Sequence, residues 1–190
     1  MFIVLEGIDG SGKSTTANAI ADALQGVALT TPLDKFKSVR PELESIYGNE
    51  FLARQLFYAS TAIASSNRVG SELLKSSCVV IDRYWLSTQV YHSWYTKGAH
   101  MLLPEVENIL LKPDLTVFLN ISLEDRLKRL SKRSVVTAED SLTATVKADE
   151  ELSGLYRSFS NSKLVGKWLE VDASQSTEQI VQEVLQSINS

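Results

Sequence analysis

Eight residues near the amino terminus, Gly7-Ile8-Asp9-Gly10-Ser11-Gly12-Lys13-Ser14, constrain this chain more than any other segment. Before them, Phe2 to Leu5 is an apolar run too short for a helix and bounded by glycine, so it reads as a buried strand. After them, Ala17, Ile20, Ala21 and Leu24 recur at helical spacing between Lys13 and Gln25, and Gly26 closes the element. A strand, G-x-x-x-x-G-K-S and a helix in that order make a phosphate-binding loop. The glycines let successive backbone N–H groups turn inward on an anion, and the positive helix end adds to their field. Lys13 is then placed to bridge the β- and γ-phosphates of ATP, and the Ser14 hydroxyl to bind Mg²⁺. Gly7, Asp9, Gly10, Ser11, Gly12 and Thr15 complete the expected ATP-binding segment. A ligand-free glycine-rich turn would leave the lysine and serine at the first helical turn unexplained.

Further along, Val27 to Leu29, Cys78 to Ile81, Leu115 to Leu119 and Trp168 to Val171 read as four more strands. Residues 41 to 74 are expected to be mostly helical, interrupted near Tyr47-Gly48-Asn49. Ser122 precedes Asp125 by three residues as a helix N-cap, and Ser176 with Gln179 opens a last helix whose apolar face is Ile180, Val181, Val184, Leu185 and Ile188. Apolar strands alternating with helices imply parallel pairing, with ligands at the carboxyl ends of the strands. The expected fold is α/β, a three-layer P-loop NTPase architecture with a five-stranded parallel sheet, helices on both faces and a short lid. One domain over 1–190 is expected, with no repeat or linker and a Ser/Thr-dotted lid at about 133–146.

Composition narrows the partners. Nineteen Lys and Arg stand against 23 Asp and Glu, a net charge of −4, which argues against a broad grip on a nucleic acid polymer but leaves room for a small basic pocket. Cys78 is the only cysteine and His92 and His100 the only histidines, so neither a disulfide nor a zinc cluster is expected. No apolar run approaches the length of a bilayer crossing, and Glu6 interrupts any signal-peptide core; a cytoplasmic chain without membrane contact is the expectation.

A guanine-reading N-K-x-D segment is missing, so a GTP switch is not favoured, and small size with a second charged strand end, Asp82-Arg83, favours a small-molecule kinase. Arg83 offers a rigid fork for an acceptor phosphate, and Asp82 can hold that arginine or a metal-bound water. At Asp82-Arg83-Tyr84, followed by Ser87 and Tyr91, the chain resembles the thymidylate kinase family, whose members carry D-R-Y-x-x-S-x-x-x-Y at this strand exit. The opening Leu5 to Thr15 and Pro113-Asp114-Leu115-Thr116 resemble that family too, in order along most of the chain from Met1 to Tyr156. The resemblance implies transfer of the ATP γ-phosphate, with Mg²⁺, to dTMP or a related (deoxy)nucleoside monophosphate, and a homodimer. It sets Tyr91 against the acceptor sugar, Tyr58 against the acceptor base, and Asp9 near the sugar and metal.

Departures from the family mark the acceptor side. The phosphate-binding loop after the second strand is reduced to Thr30-Thr31-Pro32-Leu33-Asp34, which keeps Pro32 but lacks the family's arginine; Arg40 is the candidate substitute. Ala62 stands where an arginine is expected four residues after Tyr58, with Arg68 as a possible replacement, and Thr88 stands where some members carry a base-reading amide. Arg126, Arg129 and Arg133 share a helix face beside Lys128 and Lys132. Glu124–Lys128 and Asp125–Arg129 pairs account for such a face as solvated helix surface. The resemblance instead makes Arg129 and Arg133 the cations that meet the transferring phosphoryl group, from a lid that excludes water. Two rivals stay open. A deoxynucleoside kinase acting on a 5′-hydroxyl needs a carboxylate base, for which Asp34 is the candidate; a non-catalytic nucleotide-binding module needs no intact Lys13, Ser14, Asp82 and Arg83.

Overall fold

The computed structural model describes residues 1–132 and 138–189. In chain order the elements are β1 (Phe2–Glu6), α1 (Lys13–Ala23), β2 (Val27–Thr30), α2 (Asp34–Tyr47), α3 (Phe51–Leu73), β3 (Val79–Asp82), α4 (Trp85–Tyr95), α5 (Pro104–Ile109), β4 (Leu115–Asn120), α6 (Leu123–Leu130), α7 (Ala138–Leu142), α8 (Val146–Ser158), β5 (Lys167–Asp172) and α9 (Thr177–Asn189). The five strands pair in parallel in the order β2-β3-β1-β4-β5. β1 lies at the centre and is buried along its whole length.

Period-two alternation distributes β1 between two cores. Ile3 and Leu5 join Ala17 and Ile20 of α1 and Ile180, Val181 and Val184 of α9 on one face. Phe2 and Val4 join Ala59, Ala62 and Val69 of α3 on the other. Farther along that second face, Leu86 and Val90 of α4 pack with Leu152 and Tyr156 of α8 around Phe118. The expected three layers are therefore present, and the strand ends carrying Glu6 and Asp82 open to the same side because all strands run parallel.

Both proposed caps form. The Asp125 amide donates to Ser122 Oγ, and Ser176 and Gln179 bond reciprocally. One helix differs from the sequence reading: α2 begins at Asp34, not at Pro41, which lies inside it. A proline costs a helix one backbone bond. Here the first turn is closed ahead of it, with the Phe36 and Lys37 amides donating to the Leu33 carbonyl.

Candidate active site

The loop between β1 and α1 takes its shape from backbone conformations that a side chain resists. Gly10 and Gly12 have φ of +91° and +97°, and a Cβ on Gly10 would lie 2.9 Å from Arg126 Cγ. Gly12 is the N-cap of α1 and lends no side-chain cap, so the first amides of that helix are left for an anion. Lys13 is 6% exposed; its Nζ donates to the Ile8 carbonyl at 2.9 Å, and burial pushes its pKa down to about 8. The Ser14 hydroxyl donates to Asp82 Oδ2, while Asp82 Oδ1 is buried without a hydrogen-bond partner among the described residues.

Arg83 follows at the exit of β3 in a left-handed backbone conformation, φ +66°. Its guanidinium donates to Asp9 Oδ1 at 2.7 Å and to Ser87 Oγ at 2.8 Å, reaches the Tyr156 hydroxyl at 3.3 Å, and lies over the Tyr91 ring at 5.2 Å. Burial opposes its charge, but Asp9, with Tyr91, Tyr156 and Asp82, more than offsets this and keeps it protonated. Ser87 in turn donates from Oγ to Glu6, which also accepts the Tyr84 and Ser87 amides at 3.0 and 3.2 Å. Glu6 thereby caps α4 from a neighbouring strand, since the N-cap residue Tyr84 supplies no side-chain cap. Burial pushes the Glu6 carboxyl up to about 7.

Lys13 and Arg83 line one cleft of about 490 Å³. Asp9 lies between them, 4.0 Å from Lys13 Nζ and 2.7 Å from Arg83. The cleft gathers Gly12, Ser14, Thr15, Pro32, Arg40, Tyr58, Asp82, Ser87, Thr88 and Tyr91 from the sequence-based candidates. At its far end the Tyr58 hydroxyl donates to Glu44 Oε1 at 2.6 Å, Arg40 Nε donates to the same oxygen at 2.8 Å, and the Arg40 guanidinium sits 5.7 Å from the Tyr58 ring centre.

Other candidates fall elsewhere. Arg68 does not reach the cleft; it is half exposed and pairs with Glu72 at 2.9 Å. Ten residues separate it from Tyr58 on one continuous helix, a displacement of about 15 Å. Arg129 bonds the carbonyls of Ser11 at 3.0 Å and Ala173 at 2.6 Å, tying the back of the phosphate loop to the turn after β5. Arg126, on the same helix, is fully buried and holds Asp149, the Asp9 carbonyl and Thr143. Arg133 lies outside the described residues, as does the 133–137 part of the lid expected over about 133–146; the remainder begins with α7 and buries Asp140 and Thr143. Asp34, the carboxylate that a 5′-hydroxyl acceptor would need, points its side chain to solvent, 91% exposed, and pairs with Lys37 at 3.1 Å.

Sequence reasoning gave no role to Glu6, Lys37, Arg54, His92, Tyr95 or Tyr156. A spacing signal existed for two of them: Arg54 precedes Tyr58 by one helical turn and His92 follows Thr88 by one. The strand-end position of Glu6 beside the glycine loop was visible, but its partners, about eighty residues away, were not.

The profile of the family described as thymidylate kinase matches residues 5–184. A probable thymidylate kinase of Methanococcus maripaludis strain C7 is 32% identical over 98% of this chain and 94% of its own length. One from Archaeoglobus fulgidus is 34% identical over 75% of each chain. The human mitochondrial UMP-CMP kinase 2 is 30% identical over 98% of this chain, which spans 42% of that protein. Among solved structures, Candida albicans thymidylate kinase, described as having broad substrate specificity, superposes with a TM-score of 0.67 at 21% identity, over 99% of this chain and 90% of its own. A deoxyadenosine kinase from M. mycoides, solved with dCMP and dCDP, superposes with a TM-score of 0.66 at 17% identity, over 100% and 99%.

Proposed function

The chain belongs to the thymidylate kinase family, and we propose that it transfers the ATP γ-phosphate to a deoxynucleoside monophosphate, dTMP first among them. One observation carries this reading: two cations from different elements, the buried Lys13 at the start of α1 and the half-buried Arg83 at the exit of β3, line a single cleft and share one carboxylate, Asp9. That spacing suits a triphosphate tail at the glycine loop and a monoester at β3, with the transferring group between them. An acceptor phosphate is already an anion, so the reaction needs alignment and charge neutralisation more than a base. Arg83, held by Ser87 and Asp9, offers a fixed fork for the acceptor; Lys13 and the first amides of α1 neutralise the donor.

Mg²⁺ fits the residues present. The orphaned Asp82 Oδ1 and the Ser14 hydroxyl would hold it, directly or through water. Among the described residues no group of three His, Cys, Asp or Glu gathers as a cation cage, so most ligands of a Mg²⁺ here would come from phosphate and water. When bound it supplies charge neutralisation on the β- and γ-phosphate oxygens. In this reading Tyr91, whose ring the Arg83 guanidinium overlies, lies against the acceptor sugar and Tyr58 against its base.

The solvent-facing Asp34 speaks against a nucleoside acceptor, because the carboxylate proposed as its base is 91% exposed and does not line the cleft. No helix among the described residues is long and apolar enough to cross a membrane. A homodimer through α2 and α3 is part of the proposal: Val39 and Ile46 on one helix and Leu52 and Leu56 on the next are 42 to 68% exposed, an apolar face that a second copy would cover. Coupled measurement of ADP release with ATP, Mg²⁺ and a panel of nucleosides and nucleoside monophosphates tests the activity. Turnover on monophosphates is expected; turnover on nucleosides alone overturns it.

A further inference from the structure

The end of the cleft away from Lys13 is made where two helix faces meet. Arg54 and Tyr58 sit one turn apart on α3, Thr88 and His92 one turn apart on α4, and all four line the cavity. The Tyr58 and His92 rings lie 5.7 Å apart at 59°, so one forms a platform and the other stands beside it as a wall. His92 Nδ1 is 2.7 Å from the Thr88 carbonyl on its own helix. A carbonyl only accepts, so Nδ1 carries the hydrogen, and in the uncharged ring Nε2 presents a lone pair on the side away from the α4 backbone. Burial, opposed by the Thr88 bond and aided by Arg54 and His100, pushes the ring's pKa down to about 4, which leaves it uncharged at neutral pH. On α3, Arg54 stacks on Tyr95 at 5.3 Å and stands 3.7 Å from Glu44, a guanidinium that lines the same cavity. An acceptor and a donor thus line the same end of the cleft as the Tyr58 ring, whereas Ala62, which stands four residues after Tyr58, is buried in the core and takes no part.

We propose that His92 is a specificity-determining residue, its Nε2 accepting the ring N–H of an imide-type pyrimidine base while Arg54 donates to the adjacent carbonyl. The inference rests on the proposed function and deepens it by assigning the base class. Thymine and uracil present N3–H next to C4=O, which matches acceptor next to donor. Cytosine turns the lone pair of its N3 toward that of Nε2, and a site with an unmatched buried acceptor rejects such an analogue strongly.

The test compares kcat/KM for dTMP, N3-methyl-dTMP and dCMP at saturating ATP and Mg²⁺, on the unaltered chain, His92→Leu and His92→Gln. On the unaltered chain, N3-methylation and dCMP are each expected to lower kcat/KM at least about 10-fold, through KM. His92→Leu is expected to lose a similar factor on dTMP and to stop distinguishing dTMP from its N3-methyl form. His92→Gln, whose amide oxygen can accept at a similar reach, is expected to stay within about 3-fold of the original. Equal turnover of dTMP and N3-methyl-dTMP by the unaltered chain overturns the inference even if His92→Leu does not fold. An equal loss on both acceptors in His92→Leu overturns it too. Failure of every monophosphate to react overturns the proposed function, and this inference with it, whereas indifference to N3 overturns the inference alone.

Discussion

In the proposed reading, the donor end of the cleft is eight consecutive residues, Gly7 to Ser14, running from the loop after the central strand into the first turn of α1. The end proposed for the acceptor draws Arg40, Tyr58, Arg83, Thr88 and Tyr91 from three helices and a strand exit, and one of those helices, α2, buries no residue at all. The contrast follows from what each end recognises. A phosphate is the same in every nucleotide and is met by backbone amides and a lysine, so a contiguous segment suffices. A base is met edge by edge by side chains, and side chains from separate helices can be exchanged without disturbing the sheet.

The comparison can be broken in several places. Lys13→Ala removes the donor-side cation and is expected to lower kcat by at least about 10³-fold while the far-ultraviolet circular dichroism stays unchanged. Retained turnover in that folded variant would remove the glycine loop from the reaction. Arg83→Ala is expected to lower kcat/KM for the acceptor by about 10²- to 10³-fold while the KM for ATP moves less than about 3-fold; a matching rise in the ATP KM would show that the two ends are not separable.

Glu6 sharpens the comparison through stability, since it joins the two ends. Its folded pKa of about 7 exceeds the ordinary value of 4.5, so between those pH values the folded chain binds more protons than the unfolded one. Stability from this group is therefore full below pH 4.5 and falls as pH rises through 7, by on the order of 3 kcal/mol. Glu6→Gln is expected to flatten that part of the profile of melting temperature against pH; an unchanged slope would place the titration elsewhere. The smallest effects belong to Arg68→Ala and Asp34→Asn, each expected to change kcat/KM less than about 2-fold because both side chains lie away from the cleft or face solvent. A large loss in the Asp34 variant would restore the hydroxyl-acceptor reading.

The same contrast decides how far the sequence could be read. β1, β3 and β4 are continuous apolar runs buried on both faces, and runs of that kind announce themselves. The glycine loop and Asp82-Arg83 were legible because their chemistry lies in adjacent residues. Arg68 misled because a helix of 23 residues carries a side chain far from its neighbours on the same face, and α2 was cut short because Pro41 reads locally as a start. Glu6, Tyr156 and His92 stayed silent for a shared reason. Each acts through a partner that folding brings near, across 69 to 81 residues for the Ser87 bonds, or through an orientation that one backbone carbonyl sets.

The central claim, two separately built anion sites facing one another, is tested most directly by calorimetric titration of a non-hydrolysable ATP analogue with Mg²⁺, and separately of dTMP, into Lys13→Ala and Arg83→Ala. The expected result is crossed: the lysine variant loses at least about 10-fold in affinity for the triphosphate and keeps dTMP, and the arginine variant does the reverse. Parallel losses of both ligands in both variants would contradict it.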